Sequence, residues 1–124
     1  MKAPKIFRDR NAREYWFEEG CYITEWINDE SDPGLSVARA RVPPGGTTRW
    51  HCLEGIAERY LILEGRGRAE IDGGLAEVLG PGDAVLIPPG TAQRIHNPDP
   101  DDLVFLAIST PRFQRRAYRD LEAS

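Results

Sequence analysis

With 124 residues, the chain has room for one folded domain and little more. Its 40% hydrophobic and 29% charged residues are the composition of a globular protein and exclude global disorder. A formal net charge of −4, with both signs interspersed, argues against a nucleic-acid-binding protein or a protein of anionic membrane surfaces.

The N-terminal segment leaves two interpretations open. Asn11 caps a short helical turn through Glu14 and Tyr15, or Trp16 and Phe17 begin a strand.

Eight short runs rich in β-forming residues follow, separated by clusters of glycine and proline that supply turns. The runs occupy residues 21–26, 35–42, 57–63, 67–71, 75–79, 84–87, 92–96 and 103–108. Strands of this length and spacing are typical of a sandwich or a barrel. The sequence therefore predicts an all-β fold.

The end of the chain predicts a short helix. After Pro111, residues 112–122 carry Phe113, Tyr118 and Leu121 among charged residues, which is the pattern of a helix that lies on a barrel.

No apolar run approaches the roughly 18 to 20 residues that a membrane-spanning helix needs. No apolar signal segment precedes Cys21 and Cys52. We therefore expect a cytoplasmic protein with reduced thiols, and a Cys21–Cys52 disulfide is the alternative.

Two segments carry glycines and polar residues at fixed spacings. In the first, five residues separate Gly45 from His51, Leu53 and Glu58 follow, and Gly65 ends the segment. The second contains Gly82, Pro88, Pro89, Gly90, Gln93 and Asn97. The glycines and prolines supply turns, so they indicate the fold and not the chemistry.

These spacings resemble the cupin family, whose motifs read G-x5-H-x-H-x(3,4)-E-x6-G and G-x5-P-x-G-x2-H-x3-N. Leu53 and Gln93 stand where the family carries its second and third histidines. The resemblance implies a double-stranded β-helix, or jelly-roll barrel, with a single domain over residues 1–124. Its motifs would occupy residues 45–65 and 82–97.

The resemblance also implies that His51, Glu58 and Gln93 face the barrel interior and bind one divalent metal ion. Imidazole, carboxylate and amide groups all ligate such ions, and three protein ligands leave positions open for substrate. The sequence does not distinguish Fe, Mn, Ni, Zn and Cu. The alternative is that the three side chains hydrogen-bond to each other and to water, without a metal.

Side chains alternate along a strand, so Tyr60 shares the face of Glu58. Glu58 and Tyr60 are the candidate catalytic residues: Glu58 as a general base without metal, Tyr60 as a hydrogen-bond donor to the ligand. Packing in the core is the alternative for Tyr60. By the same alternation His96 faces outward, and Ser109 lies at the pocket rim or caps a turn.

Two functions remain open, and the sequence leaves undecided whether the protein is an enzyme. The first is a metal-binding enzyme that acts on a small oxygenated metabolite as an isomerase, a lyase or decarboxylase, or a dioxygenase. The second is a non-catalytic cupin that binds or stores a sugar or another metabolite in a degenerate, metal-free site. For either we expect a small molecule in the barrel, no nucleic-acid or membrane partner, and a homodimer formed through the aromatic residues 15–26.

Overall fold

A computed structural model describes residues 3–122 of the chain. In this part of the chain the backbone forms eleven strands and two 3-10 turns, Asp9–Asn11 and Arg115–Ala117. The strands are β1 (Tyr15–Phe17), β2 (Cys21–Ile27), β3 (Ser36–Val42), β4 (His51–Leu53), β5 (Ala57–Glu64), β6 (Gly67–Ile71), β7 (Leu75–Leu79), β8 (Ala84–Ile87), β9 (Gln93–His96), β10 (Leu103–Thr110) and β11 (Tyr118–Asp120). No helix in residues 3–122 is long and apolar enough to cross a membrane.

Two antiparallel sheets enclose the interior. The larger has the strand order β1-β2-β3-β10-β5-β8, and the smaller has the order β11-β4-β9-β6-β7. Side chains from both sheets form one apolar core, with Tyr60, Ile62 and Phe105 from the larger sheet and Ala69 and Ile95 from the smaller. This arrangement is the predicted all-β jelly roll.

Alternation along β5 decides which side chains enter the interior. Glu58, Tyr60 and Ile62 are buried, whereas their neighbours along the strand are more exposed. The residues of β10 opposite these three include Phe105 and Ser109, which are also buried. The predicted inward face of this strand is confirmed.

Two glycines let the link between β5 and β6 pass close to other backbone and core atoms. Gly65 has a φ of +78°, and a Cβ atom there would lie 2.8 Å from the carbonyl oxygen of Asp102. At Gly67 a Cβ atom would lie 2.7 Å from Cδ1 of Ile95. Gly65 combines a positive φ with a backbone oxygen that cannot move aside, so this position requires glycine, whereas a side chain at Gly67 would displace Ile95 in the core.

The predicted C-terminal helix is wrong. The segment forms the 3-10 turn and then β11, which pairs with β4 along the edge of the smaller sheet. Tyr118 packs with Leu53 and Ile56 in a second apolar cluster. Pairing with β4 satisfies backbone groups that a helix would leave unpaired on that edge, and tertiary contacts thus override the local pattern.

At the N-terminus the strand interpretation is the one that the structure adopts. β1 begins at Tyr15 and pairs with β2, and the helical turn is limited to Asp9–Asn11.

Candidate functional site

Three strands from the two sheets hold the predicted site residues. β4 places His51 directly opposite Gln93 of β9, and β5 carries Glu58 and Tyr60 into the interior. All four side chains are buried. The sequence motifs thus identified polar residues that the fold places in its interior.

The His51 imidazole has one nitrogen satisfied and one that is not. Nδ1 lies 2.6 Å from the backbone oxygen of Arg49. Because a carbonyl oxygen only accepts, Nδ1 carries the hydrogen, which leaves the lone pair of a neutral ring on Nε2. Nε2 is buried and makes no hydrogen bond of good geometry, although Oε1 of Glu19 lies 3.1 Å away.

Glu19 is the functional candidate that sequence reasoning missed. It lies in the turn between β1 and β2, where its backbone oxygen accepts a hydrogen bond of 2.7 Å from the amide of Arg49. The thiol of Cys21 donates to its side chain over 3.6 Å. A glutamate in a Glu-Glu-Gly turn outside both motifs gives no signal in the sequence, since only the tertiary contact with Arg49 brings it to His51.

Glu58 has a carboxyl group without a full set of partners. Its Oε1 atom is buried and makes no hydrogen bond. Burial, reinforced by the nearby Glu19 carboxylate, raises the pKa of Glu58 to about 8, against the opposing effect of hydrogen bonding from Gln93 and Tyr60. The side chain therefore holds a proton at neutral pH, which suits a group that gives or takes a proton.

Tyr60 and Gln93 form a buried pair beside Glu58. The Tyr60 hydroxyl donates a hydrogen bond to Oε1 of Gln93. Burial raises the pKa of Tyr60, and the Glu58 carboxylate raises it further, so the hydroxyl keeps its proton. The amide oxygen of Gln93 is thus already engaged by a donor.

A cavity with a volume of about 50 Å³ lies in front of Glu58 and opens to solvent. Its acidic lining residues are Glu19, Glu25 and Glu58. Its aromatic lining residues are Tyr15, Phe17, Tyr60, Phe105 and Phe113. Ser109 also lines the cavity, whereas His51 and Gln93 lie outside its lining.

Leu53 fills the position of the family's second histidine with apolar contacts. It is buried in a cluster with Ile56 and Tyr118, against which Phe17 and Phe113 pack. The Tyr118 ring also stacks on His51 with ring centroids 5.4 Å apart. This side of His51 is therefore apolar and offers no second imidazole.

His96 lies on the outer side of the smaller sheet, as its position in the strand predicted. Nδ1 of His96 lies 2.6 Å from the Thr47 hydroxyl oxygen, in a shallow surface groove with Arg49 and Arg94. The described cysteines, Cys21 and Cys52, are both buried free thiols.

The donor set fits a metal ion only in part. The unpartnered Nε2 of His51 and Oε1 of Glu58 are atoms that a cation would satisfy. Against this, no group of three or more His, Cys, Asp or Glu side chains within residues 3–122 has the arrangement of a metal site. The Gln93 oxygen is also engaged by Tyr60. The ligand set His51, Glu58 and Gln93 is therefore incomplete as it stands and remains a prediction.

The chain is similar to known proteins over nearly its whole length, well beyond the two motifs. The uncharacterized protein MJ1618 of Methanocaldococcus jannaschii is 34% identical to this chain over 124 residues, and the match covers 98% of each protein. Among solved structures, KdgF from Halomonas sp. superposes with a TM-score of 0.78 at 19% identity, covering 92% of this chain and 99% of that chain. The nucleoside dehydratase Pac13 of Streptomyces superposes with a TM-score of 0.79 at 17% identity, covering 96% and 92%. At these identities the structural likeness establishes the fold alone.

A family model described as a cupin domain matches residues 38–109, which is more than half of the chain and contains both motifs. The buried residues His51, Glu58, Tyr60 and Gln93 all lie within the matched region. The chain therefore belongs to the cupin family.

Proposed function

We propose that this cupin is an enzyme that acts on a small oxygenated metabolite by proton transfer at Glu58. The observation that carries the proposal is the unpartnered, buried Oε1 of Glu58 in the wall of a cavity open to solvent. Leaving such an atom unsatisfied costs about 1 to 3 kcal/mol, a cost that a bound ligand would remove. Native folds tolerate costs of this kind mainly at functional sites.

Each site residue has a part in this reaction. Glu58 gives or takes the proton, and Tyr60 holds Gln93 in place through its hydroxyl. The aromatic walls of the cavity limit access of water to the reacting group. Isomerisation and lyase reactions both proceed by proton transfer, and the neighbour Pac13 is itself a dehydratase. Among the reactions that the sequence left open, the geometry favours these over dioxygen insertion.

The test compares two variants of the same strand. In Glu58→Gln the carboxyl group is lost from the cavity, and in the control Glu64→Gln it is lost from the exposed end of β5. We expect metabolite mixtures monitored by NMR to show conversion by the wild type and by Glu64→Gln. Conversion by Glu58→Gln should fall by roughly 10²- to 10⁴-fold, the usual contribution of a general acid or base. Conversion that survives in Glu58→Gln would remove the basis of the proposal.

A divalent metal ion held by His51, Glu58 and Gln93 is an alternative that we propose for this site, in which Glu58 would ligate the metal as a carboxylate instead of holding a proton. The unpartnered Nε2 of His51 supports it. Metal analysis of protein purified without added metal or chelator tests it. If this alternative holds, metal should be stoichiometric in the wild type and in His96→Ala, which removes the outer histidine, and low in His51→Ala. Equally low metal in all three proteins would reject the cofactor and leave the proton-transfer proposal intact.

A non-catalytic metabolite-binding cupin is the second candidate. The apolar cluster around Leu53 and the engaged Gln93 oxygen favour it, because both reduce the capacity of the site for metal. Binding of a metabolite without any conversion, lost in Glu58→Gln, would establish this function instead.

We also propose a cytoplasmic homodimer. The free thiols of Cys21 and Cys52 suit a reducing compartment. The edge strand β1 and the exposed Trp16 ring, 56% accessible, support an interface within residues 15–26.

A further inference from the structure

The charge of the cavity is one-sided. Glu19, Glu25 and Glu58 line it, and none of its described lining residues is a lysine or an arginine. Two arginines, Arg112 and Arg115, line an adjoining groove at the barrel mouth. Because Glu58 holds a proton at neutral pH, the negative charge of the lining comes from the Glu19 and Glu25 carboxylates. This charge favours cationic ligands, since an anionic group would lose its hydration without gaining a cationic partner.

The arginines at the mouth already have partners in the protein. Arg115 donates to Oε1 of Glu18 over 2.6 Å, and Arg112 donates to Oδ1 of Asn28 over 3.0 Å. Glu18 offsets the charge of Arg115, whereas Arg112 keeps its charge but lies outside the lining of the cavity.

Two of the acidic groups lie close together at the inner end. Glu19 is near enough to Glu58 for its charge to raise the pKa of that residue. Oε1 of Glu58 has no hydrogen-bond donor, and Oε1 of Glu19 lies 3.1 Å from Nε2 of His51. Both groups accept hydrogen bonds, and the protein supplies them with few donors.

Aromatic rings form the rest of the wall. Phe17 and Phe113 meet edge to face with centroids 6.2 Å apart, and Tyr60 and Phe105 lie 4.6 Å apart. Ring faces attract cations. The guanidinium of Arg115 already lies 5.3 Å from the centroid of Phe17, at the mouth.

We propose that the cavity selects a small ligand that carries a positively charged amine, placed between the Glu19 and Glu58 carboxyl groups and the aromatic wall. Phosphorylated and carboxylated metabolites are excluded from the inner end. This inference deepens the proposed function, because the amine-bearing metabolite would be the substrate of the same site.

Three probes that differ in one end group test the proposal: 3-aminopropan-1-ol, propane-1,3-diol and 3-hydroxypropionate. Their binding to the full chain is followed by NMR chemical-shift titration at neutral pH. We expect the amine to bind at least about tenfold more tightly than the diol, since one close charge pair in a partly buried site is worth 1.4 kcal/mol or more. The carboxylate should bind more weakly than the diol.

Matched variants locate the effect. Glu19→Gln should reduce the preference for the amine over the diol by about tenfold, since it removes one charge at the same size. Glu77→Gln removes an equal charge from the exposed strand β7 and should leave the preference unchanged. Should Glu19→Gln fail to fold by circular dichroism, Glu25→Gln makes the same comparison nearer the mouth.

The outcomes separate this inference from the proposed function. Equal or tighter binding of the diol or the carboxylate, or no binding of the amine, would overturn the charge selectivity, whatever the conversion assay shows. If a metabolite without an amine is converted and the conversion depends on Glu58, the charge selectivity is likewise overturned. The catalytic proposal then stands. If the preference for the amine depends on Glu19, but Glu58→Gln converts metabolites as well as the wild type, this inference is supported. Proton transfer at Glu58 is then rejected.

Discussion

Burial gives Glu58 properties that its neighbours on the surface lack. The carboxyl group lies inside the barrel beside Glu19, and its pKa rises to about 8 from an ordinary value of 4.5. Once Glu58 loses its proton, the buried charge destabilises the folded state. A site residue of this kind therefore makes the stability of the protein depend on pH.

The free energy of unfolding should depend on pH through Glu58. The folded state holds a proton on Glu58 that the unfolded chain releases above pH 4.5, so the free energy of unfolding should fall as pH rises from about 4.5 to about 8. The loss should be on the order of a few kcal/mol and complete above pH 8. Urea unfolding with chelator present, at pH 5 and pH 8.5, measures it. Glu58→Gln should remove most of the decrease, and an equal decrease in both proteins would be inconsistent with a buried proton at this position.

Leu53 packs in an apolar cluster at the position where the family carries a metal-binding histidine. Leu53→Ala should lower the free energy of unfolding by about 2 to 5 kcal/mol, since it leaves a cavity among Ile56 and Tyr118. Leu86→Ala shortens a leucine that is 60% exposed and should cost far less. Denaturant unfolding compares the two, and similar values would mean that Leu53 does not pack as described.

Motif spacing and the alternation of side chains along strands predicted which polar residues enter the interior. His51, Glu58, Tyr60 and Gln93 are buried as expected, and their chemical roles remain predictions. Glu19 could not be predicted, because its place beside His51 depends on how one turn packs against Arg49.

At the scale of elements, strands bounded by glycine and proline were the most predictable. The bounds of β6, β7 and β8 agree with the runs of β-forming residues. The C-terminal segment was not predictable, because its apolar residues Phe113, Tyr118 and Leu121 are too few to define a helical or a strand period. Its conformation is decided by β4, a short strand whose edge would otherwise be open.

A proline in β11 tests this assignment. Backbone hydrogen bonds from Glu54 to Ala117 and from Leu121 to Trp50 flank Arg119, so the Arg119 amide faces β4. Arg119→Pro removes that donor, and faster amide hydrogen exchange should follow in β4. Arg119→Ala keeps the amide and serves as the control. Unchanged protection of β4 in the proline variant would argue against the pairing.

At the scale of the whole molecule, the jelly roll was predictable from turn spacing together with the family motifs, and the structure and the family match confirm it. Whether residues 1–124 form a single domain stays a prediction. The two sheets place the cavity beside β1, so an interface at β1 would lie next to the mouth of the site.

Substitution of Trp16, within the proposed interface of residues 15–26, tests the homodimer. We expect sedimentation at micromolar concentration to show a dimer that Trp16→Glu dissociates, because a charge would be buried in the interface. Leu86→Glu places the same charge on β8, at the opposite edge of the sheet, and should remain dimeric. A strictly monomeric wild type, or dissociation by Leu86→Glu alone, would show that the interface lies elsewhere or does not exist.

A direct titration of the Glu58 carboxyl group by carbon-13 NMR tests the central claim, with Glu58→Gln used to assign its resonance. The structure predicts that Glu58 titrates near pH 8, far above its ordinary value of 4.5, because it is buried beside Glu19 without a hydrogen-bond donor to Oε1. Titration of Glu58 near pH 4.5, like an exposed carboxyl group, would contradict the buried acid on which the proposed chemistry depends.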